Sequence, residues 1–409
     1  MTRLYRLAYL VSHPIQYQAP LLRYLAGKPD IHLTVFFLSD HSVWEHHDSG
    51  FGVEFQWDVP LLDGYKHVFL AAPGKKDQPS FWRPLVYGLG RHLRENHFDS
   101  LWIHGYAHQA SLRVTTVAKR LGMKVLLRGE SHLRIQHPSP VKAWFKERAL
   151  PRLFSCIDGF LAIGSLNQEY YLHYGVPENK IFMMPYAVDN HFFQKSADRA
   201  RPRRELLRAE LGLNPGHPII LFASKLQRRK RPADLLEAYA RLSPNGVQEP
   251  HPYLLFVGDG ETRPELEARV RRFGWSSVRF LGFINQTELS RFYDLCDIFV
   301  LPSEDEPWGL VVNEVMNAGK PVIVSDQVGA GPDLVEEGKN GFIVPVGEVS
   351  ALAERLRMLT TNPDRAQEMG QESLSLISRW DFEADYHGLM QAVKSLVVSR
   401  NCEDYAICN

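Results

Sequence analysis

Two glutamates eight positions apart, Glu306 and Glu314, are the residues of this 409-residue chain with the clearest capacity for chemistry. Between them Pro307-Trp308-Gly309 makes a turn, and Leu310, Val311, Val315 and Met316 carry the apolar spacing of a helix. Upstream, Asp297 to Leu301 reads as a buried strand. Downstream, Gly319-Lys320-Pro321 ends the helix, and Val322-Ile323-Val324-Ser325 begins another strand. Glu306 is therefore expected on a strand-to-helix loop and Glu314 about one turn inside the helix. The first N–H groups of a helix have no partner within it, and the helix dipole puts positive charge there, which suits a phosphate. A carboxylate on either side suits a ligand with hydroxyls at both ends of its phosphates, as in a nucleotide-sugar. An acid at a helix start plus a surface acid would explain Glu306 but not the Pro-Trp-Gly turn. The pair brackets a helix start, so it reads as two hydroxyl acceptors rather than as an acid and a base.

Other loops that follow apolar runs carry further candidates. Lys225-Leu226-Gln227-Arg228-Arg229-Lys230-Arg231 holds five cations ahead of a helix starting near Pro232. Many charge runs are solvated faces, but a run at a strand end can clamp a pyrophosphate, and Lys225 and Lys230 are the expected inward pair. Gly258-Asp259-Gly260-Glu261 and Gly282-Phe283-Ile284 follow two later strands. The first is a weak Gly-x-Gly. The second offers an aromatic that flanks a base or fills the core. Near the start, Ser12-His13-Pro14-Ile15-Gln16-Tyr17 is a dense polar loop, with His13 its best functional candidate and helix capping the alternative. His104 follows the run Leu101–Ile103, where satisfying a backbone group would also explain it. Arg128-Gly129-Glu130 follows Lys124–Leu127 and offers a fixed cation and a base, against the alternative of a surface ion pair. No zinc-ligand spacing occurs, so no metal site is expected.

These loops need sheets to hold them. Strand-length apolar runs alternate with amphipathic helical runs: Leu4–Val11, His32–Leu38, Leu101–His104, Lys124–Leu127, Gly159–Ile163 and Ile181–Met184, then Ile219–Ala223, Tyr253–Val257, Val278–Leu281, Ile298–Leu301, Val322–Val324 and Phe342–Val344. That rhythm predicts an α/β protein with two doubly wound, Rossmann-like domains of parallel strands facing a cleft. The expected bounds are 1–195 and 205–380, with a helix over 381–400 crossing back to the first domain and a tail over 401–409. The charged, apolar-poor stretch 195–208 marks the break between the two domains, and the hinge is expected near 190–205. Lys+Arg and Asp+Glu both number 47, so nothing points to nucleic acid. Through residue 190 there are 21 basic and 16 acidic residues, which makes the first half mildly basic. The stretch Val141-Lys142-Ala143-Trp144-Phe145-Lys146-Glu147-Arg148 fits an amphipathic helix on an anionic inner-membrane surface, or a partly buried surface helix. Cys156, Cys296, Cys402 and Cys408 form no CxxC pair. With no transmembrane run and no signal-peptide pattern, a cytoplasmic protein, at most peripheral on the membrane, is expected.

Together these residues resemble glycosyltransferase family 4, the retaining transferases of the GT-B fold, over almost the whole chain. Its E-x7-E element is matched by Glu306 and Glu314, and its diphosphate loop by Ser224 to Arg231, with Lys225 where Arg is usual and Arg231 where Gly is usual. Gly258-Asp259-Gly260, Gly282-Phe283 and Gly338-Lys339-Asn340-Gly341-Phe342 match further elements. The Ser-His-Pro-Ile-Gln-Tyr-Gln opening resembles a bacterial branch acting in surface-polysaccharide assembly. The resemblance implies a retaining, metal-independent hexosyltransferase without cofactor, using a UDP- or GDP-sugar donor and a glycan or lipid-linked acceptor. Glu306, with the amides of Trp308, Gly309 and Leu310, would contact the donor sugar, and Glu314 the ribose. Lys225 and Lys230 would hold the diphosphate, with Gly258 and the backbone near Phe283 completing the donor site. Catalytic candidates are Glu306, Arg128, His13 and Lys230. Arg128 stands where the family commonly has His, so it would stabilise the leaving group rather than move a proton. Acceptor-side candidates are His13, Gln16, His104 and Glu130. A GT-B sugar-nucleotide epimerase would lack the glutamate pair, and a catalytically silent scaffold would bind no nucleotide. A dinucleotide oxidoreductase is disfavoured because no GxGxxG follows the first strand.

Overall fold

The computed structural model describes residues 3–48, 50–70, 88–134, 139–242 and 251–406, with side chains to residue 397. The expectations for Cys402 and Cys408 lie outside the described side chains. The chain forms two compact units. Unit 1 comprises Met1–His46, Val59–Tyr186 and Phe382–Asn409, and unit 2 comprises His47–Asp58 and Ala187–Asp381.

Among the described residues, nine strands occur before residue 190: β1 (Tyr5–Val11), β2 (Ile31–Phe37), β3 (His46–Asp48), β4 (Val53–Phe55), β5 (Lys66–Phe69), β6 (Ser100–His104), β7 (Lys124–Arg128), β8 (Gly159–Ala162) and β9 (Ile181–Met183). Seven make the unit 1 sheet, in the order β5-β2-β1-β6-β7-β8-β9, and its described pairings are parallel. The central runs are apolar on both faces and buried along nearly their whole length, as a parallel sheet covered on both sides requires. β3 and β4 pair separately as a two-stranded sheet. These and β5 escape a periodicity reading because they are only three or four residues long and partly polar.

Unit 2 holds β10 (Ile219–Ala223), β11 (Tyr253–Val257), β12 (Val278–Gly282), β13 (Ile298–Leu301), β14 (Val322–Ser325) and β15 (Gly341–Val344). Their order is β12-β11-β10-β13-β14-β15, parallel throughout. In such a sheet the order reverses direction between β10 and β13. Ligands bind at that switch point, beyond the carboxyl ends of the strands. In unit 1 the reversal lies between β1 and β6. The loops that matter are therefore those after β10 and β13, and those after β1 and β6.

The stretch 195–208 is not a linker. Asp189 caps the helix Asn190–Ala200 by accepting from the Phe192 amide, and the helix Arg204–Glu210 follows. Phe193, Ala197 and Leu207 are buried among the charges, which anchors both helices in unit 2. The final helix, Phe382–Ala406, belongs to unit 1 and packs on β8 and β9, with Leu389, Ala392 and Val393 buried. A Cβ on Gly388 would lie 1.9 Å from the Met183 carbonyl oxygen, so only glycine allows that approach.

Candidate functional site

In unit 2 the two switch-point loops are joined by a buried ion pair. Lys230 is 5% exposed, and its Nζ donates to Glu306. Burial pulls the Lys230 pKa below the ordinary lysine value although Glu306 opposes this. The backbone fixes the meeting. Arg228–Lys230 forms a 3₁₀ turn, and Arg231 takes a left-handed φ of 50° before Pro232 opens the next helix. The Glu304 amide donates to the Arg229 carbonyl at 2.9 Å, and Arg229 Nη1 to the Asp305 carbonyl at 3.0 Å. Glu306 is held from behind by the loop after β14. The Gly329 amide donates to the Glu306 carbonyl at 3.0 Å and the Ala330 amide to the Trp308 carbonyl at 2.9 Å. A Cβ on Gly329 would sit 2.0 Å from the Pro307 carbonyl oxygen. The Val328–Gly329 contribution went unread in the sequence; glycine just past a strand was its signal.

Glu314 lies on the helix Leu310–Met316, where Tyr293 donates its hydroxyl proton to Oε2 at 2.5 Å. Burial pushes the Glu314 carboxyl up to about 7, with the Tyr293 hydrogen bond acting the other way. The Trp308 indole is buried and donates to Asn313 Oδ1 at 2.9 Å, so this residue can offer a ligand only its backbone. Gly309, at a φ of 96°, makes the turn into the helix carrying Leu310 and Glu314.

The remaining donor candidates sit on neighbouring loops. Gly258 has a φ of 122°, and a Cβ there would lie 2.0 Å from the Ser224 carbonyl oxygen, so glycine lets the loops after β10 and β11 touch. Lys225 Nζ contacts both Asp48 oxygens, at 2.8 and 2.9 Å. The Phe283 ring packs on Phe55 and Phe51, with centroids 4.3 and 4.9 Å away. Asp48, Phe51 and Phe55 come from the first half of the sequence, and no motif there announced them.

Unit 1 gathers its own polar cluster. Glu130 Oε1 accepts from the Tyr186 hydroxyl at 2.6 Å and lies 3.1 Å from His104 Nε2. Gln18 Nε2 is 3.0 Å from the same His104 nitrogen, while Gln18 Oε1 accepts from Tyr9 at 2.7 Å. Burial alone would raise the Glu130 carboxyl, but the His104 and Tyr186 hydrogen bonds outweigh it and hold the group below its usual range. His13 sits apart from this network, with Ser12 Oγ 2.9 Å from Nδ1 and His41 beside its ring. Burial, then the neighbouring histidines His41, His46, His108 and His104, lower its pKa to about 4, so it is neutral at ordinary pH. Gln16 is half-buried on the same loop. Gln18, Tyr9 and Tyr186 are members that sequence reasoning missed.

Arg128 requires a correction. Its side chain is 1% exposed, and Nη2 donates to Asp385 at 3.0 Å and to the carbonyls of Met184 and Pro185. The guanidinium is committed to anchoring the final helix, so the expected leaving-group role is withdrawn. The partner that explains it stands 257 residues away, out of reach of any local motif.

Residues 203–375 match the family model of glycosyl transferases group 1. That segment is similar to the group 1 glycosyl transferases. The loops of Lys225, Lys230, Gly258, Phe283, Glu306 and Glu314 all lie within the matched segment. The chain is 34% identical over 182 residues to spore coat protein SA of Bacillus subtilis, covering 42% of this chain and 46% of that protein. It is 32% identical over 218 residues to a D-inositol 3-phosphate glycosyltransferase of Streptomyces bingchenggensis, covering 51% and 47%. The chain thus spans about half the length of the curated relatives it matches. The crystal structure of Anabaena HepE in complex with UDP overlays with a TM-score of 0.71 at 19% identity, covering 96% of this chain and 100% of that one. The fold is therefore that of the GT-B glycosyltransferases. Among the described residues, no group of His, Cys, Asp and Glu could hold a metal ion, and no helix is long and apolar enough to cross a membrane.

Proposed function

We propose that this chain is a retaining glycosyltransferase of family 4 that moves a hexose from a nucleotide diphosphate sugar to a glycan or lipid-linked acceptor. Its place would be bacterial surface-polysaccharide or glycolipid assembly. The observation that carries the reading is the Lys230–Glu306 pair at the switch point of the unit 2 sheet, with Glu314 on the helix that follows the Glu306 loop. The diphosphate would take over Lys230, helped by Lys225, and release Glu306 to accept hydroxyl protons from the donor sugar. Glu314 would accept from the ribose, with the base near the backbone of Gly282 and Phe283. His13, Gln16, His104 and Glu130 would serve the acceptor.

In this reading the acceptor oxygen attacks C1 on the face the diphosphate leaves. The C1–O bond to phosphate breaks, the bond to the acceptor forms, and the acceptor proton passes to a leaving phosphate oxygen. The protein's task is to stabilise the charge growing on that phosphate, and the two lysines supply it without a divalent ion. HepE was crystallised with UDP, which makes UDP the first nucleotide to try here. A thermal-shift panel of UDP-, GDP- and ADP-sugars tests the reading. One nucleotide should raise the melting temperature in a dose-dependent way, and that donor should release its nucleotide only when acceptor is present. No response to any nucleotide would favour a silent scaffold, and release without acceptor an epimerase.

The helix Pro140–Ser155 supports a peripheral membrane contact. Val141, Trp144 and Phe145 are 66%, 52% and 60% exposed, next to Lys142, Lys146, Arg148 and Arg152. Apolar and aromatic side chains among cations suit an anionic bilayer surface, where a lipid-linked acceptor would be found.

A further inference from the structure

The short segment of His47, Asp48 and residues 50–58 belongs to unit 2 although its neighbours in sequence, His46 and Val59, belong to unit 1. It is anchored to unit 2 at four places, all on the segments that follow β10 and β12. Asp48 takes both its oxygens to Lys225 Nζ. Phe51 lies under the same ammonium, 4.7 Å from ring centroid to Nζ. Phe51 and Phe55 together cover the Phe283 ring. The Gln56 carbonyl accepts from Asn285 Nδ2 at 2.8 Å, and Asp58 accepts from the amide and hydroxyl of Thr287 at the start of the helix Gln286–Leu295. The fit is close: a Cβ on Gly50 would come within 2.7 Å of Lys225 Cδ. Asp48 is pre-arranged for its partner, since Oδ1 also accepts from the amides of Gly50 and Phe51 at 2.8 and 3.0 Å.

We propose that this segment is a strap that occupies the donor site of its own chain, with the Asp48 carboxylate standing on Lys225 where a donor phosphate binds. The proposal rests on the reading of Lys225 and the Phe283 loop as donor-binding. A carboxylate with two oxygens on one ammonium is a fair copy of a phosphate edge, but it carries one negative charge where a diphosphate carries at least two. Donor binding is then an exchange. The diphosphate takes Lys225, Asp48 swings away, and the aromatic contact on Phe283 loosens next to the incoming base. Without donor, the strap keeps Lys225 ordered and weakens the hold on small anions with less charge to offer. The strap thus sets a threshold for what binds.

The test is calorimetric titration of UDP into the wild type and into the Asp48→Asn and Asp48→Ala variants. Removing the competing charge should tighten UDP on the order of tenfold, which corresponds to about 1.4 kcal/mol. Adding Lys225→Ala should erase that gain, because the two residues then have nothing to exchange. Amide hydrogen exchange gives a second readout on the unaltered protein: peptides within residues 50–58 should exchange faster with UDP bound. Unchanged or weaker UDP binding in both Asp48 variants, or slower exchange of the strap with UDP, overturns the strap. Lys230→Ala separates the two ideas. If it abolishes UDP binding while the Asp48 variants match the wild type, only the strap fails. If none of UDP, GDP and ADP binds to the wild type or to any variant, the donor reading fails and takes the strap with it.

Discussion

Replacing Glu314 by Gln should make this protein more stable, increasingly so as pH rises from about 4.5 to 7 and fully so above 7. Burial raises the folded carboxyl from its ordinary 4.5 to about 7, while the unfolded chain returns it to 4.5. Between those values the folded state keeps a proton that the unfolded state releases. The stability contributed by the protonated carboxyl is thus complete below about pH 4.5 and is lost as pH rises through 7. The gap between the two pKa values corresponds to about 3 kcal/mol. Solvent still reaches part of this side chain, so about 2 kcal/mol is the expected effect. Gln is isosteric with the neutral acid and still accepts from Tyr293, so the variant should match the wild type near pH 5. At pH 8 it should melt higher by roughly 4–8 °C for a unit of this size. Thermal melts of both proteins at pH 5, 6, 7 and 8 read the difference directly. Parallel curves at every pH would refute the buried, proton-holding carboxyl. The same variant should bind nucleotide more weakly at pH 8, because it removes the anion proposed to hold the ribose.

The unit 2 ion pair makes a second prediction. Glu306→Gln should reduce transfer by at least about a hundredfold with nucleotide affinity within a few-fold of wild type, whereas Lys230→Ala should lower both by on the order of tenfold or more, read by product formation and calorimetry. Asp385→Ala leaves the Arg128 guanidinium buried without its counter-ion and should cost about 3–5 kcal/mol in urea unfolding; wild-type stability would show that the pair does not anchor the final helix. Trp144→Ala combined with Phe145→Ala should abolish flotation with anionic vesicles and leave soluble-acceptor transfer intact, while wild-type protein that ignores such vesicles would remove the membrane contact.

The sheets were legible because buried parallel strands are written as continuous apolar runs: Ile298–Leu301 and Tyr253–Val257 are bounded as the sequence suggests. The two glutamates were legible because both sit in one short strand–turn–helix unit whose turn residues, Pro307 and Gly309, are themselves signals. What the sequence hid is long-range. Lys225 shows its charge locally but not Asp48, 177 positions away. Arg128 looked catalytic because it ends a strand, yet a single buried aspartate on the last helix redirects it. Gly258 looked like a weak motif, and Gly329 went unread. Their meaning is the absence of a Cβ against the carbonyls of Ser224 and Pro307, which lie on other loops. The charge of 195–208 suggested a linker because two or three buried apolar residues per helix are easily lost among arginines.

The most direct test of the donor site is a crystal structure of the protein with UDP. The diphosphate should lie within hydrogen-bond distance of Lys230 and Lys225, with Glu306 freed from Lys230, a ribose hydroxyl on Glu314, and the base beside Gly282 and Phe283. UDP bound elsewhere, with the Lys230–Glu306 pair intact, would contradict the account at its centre.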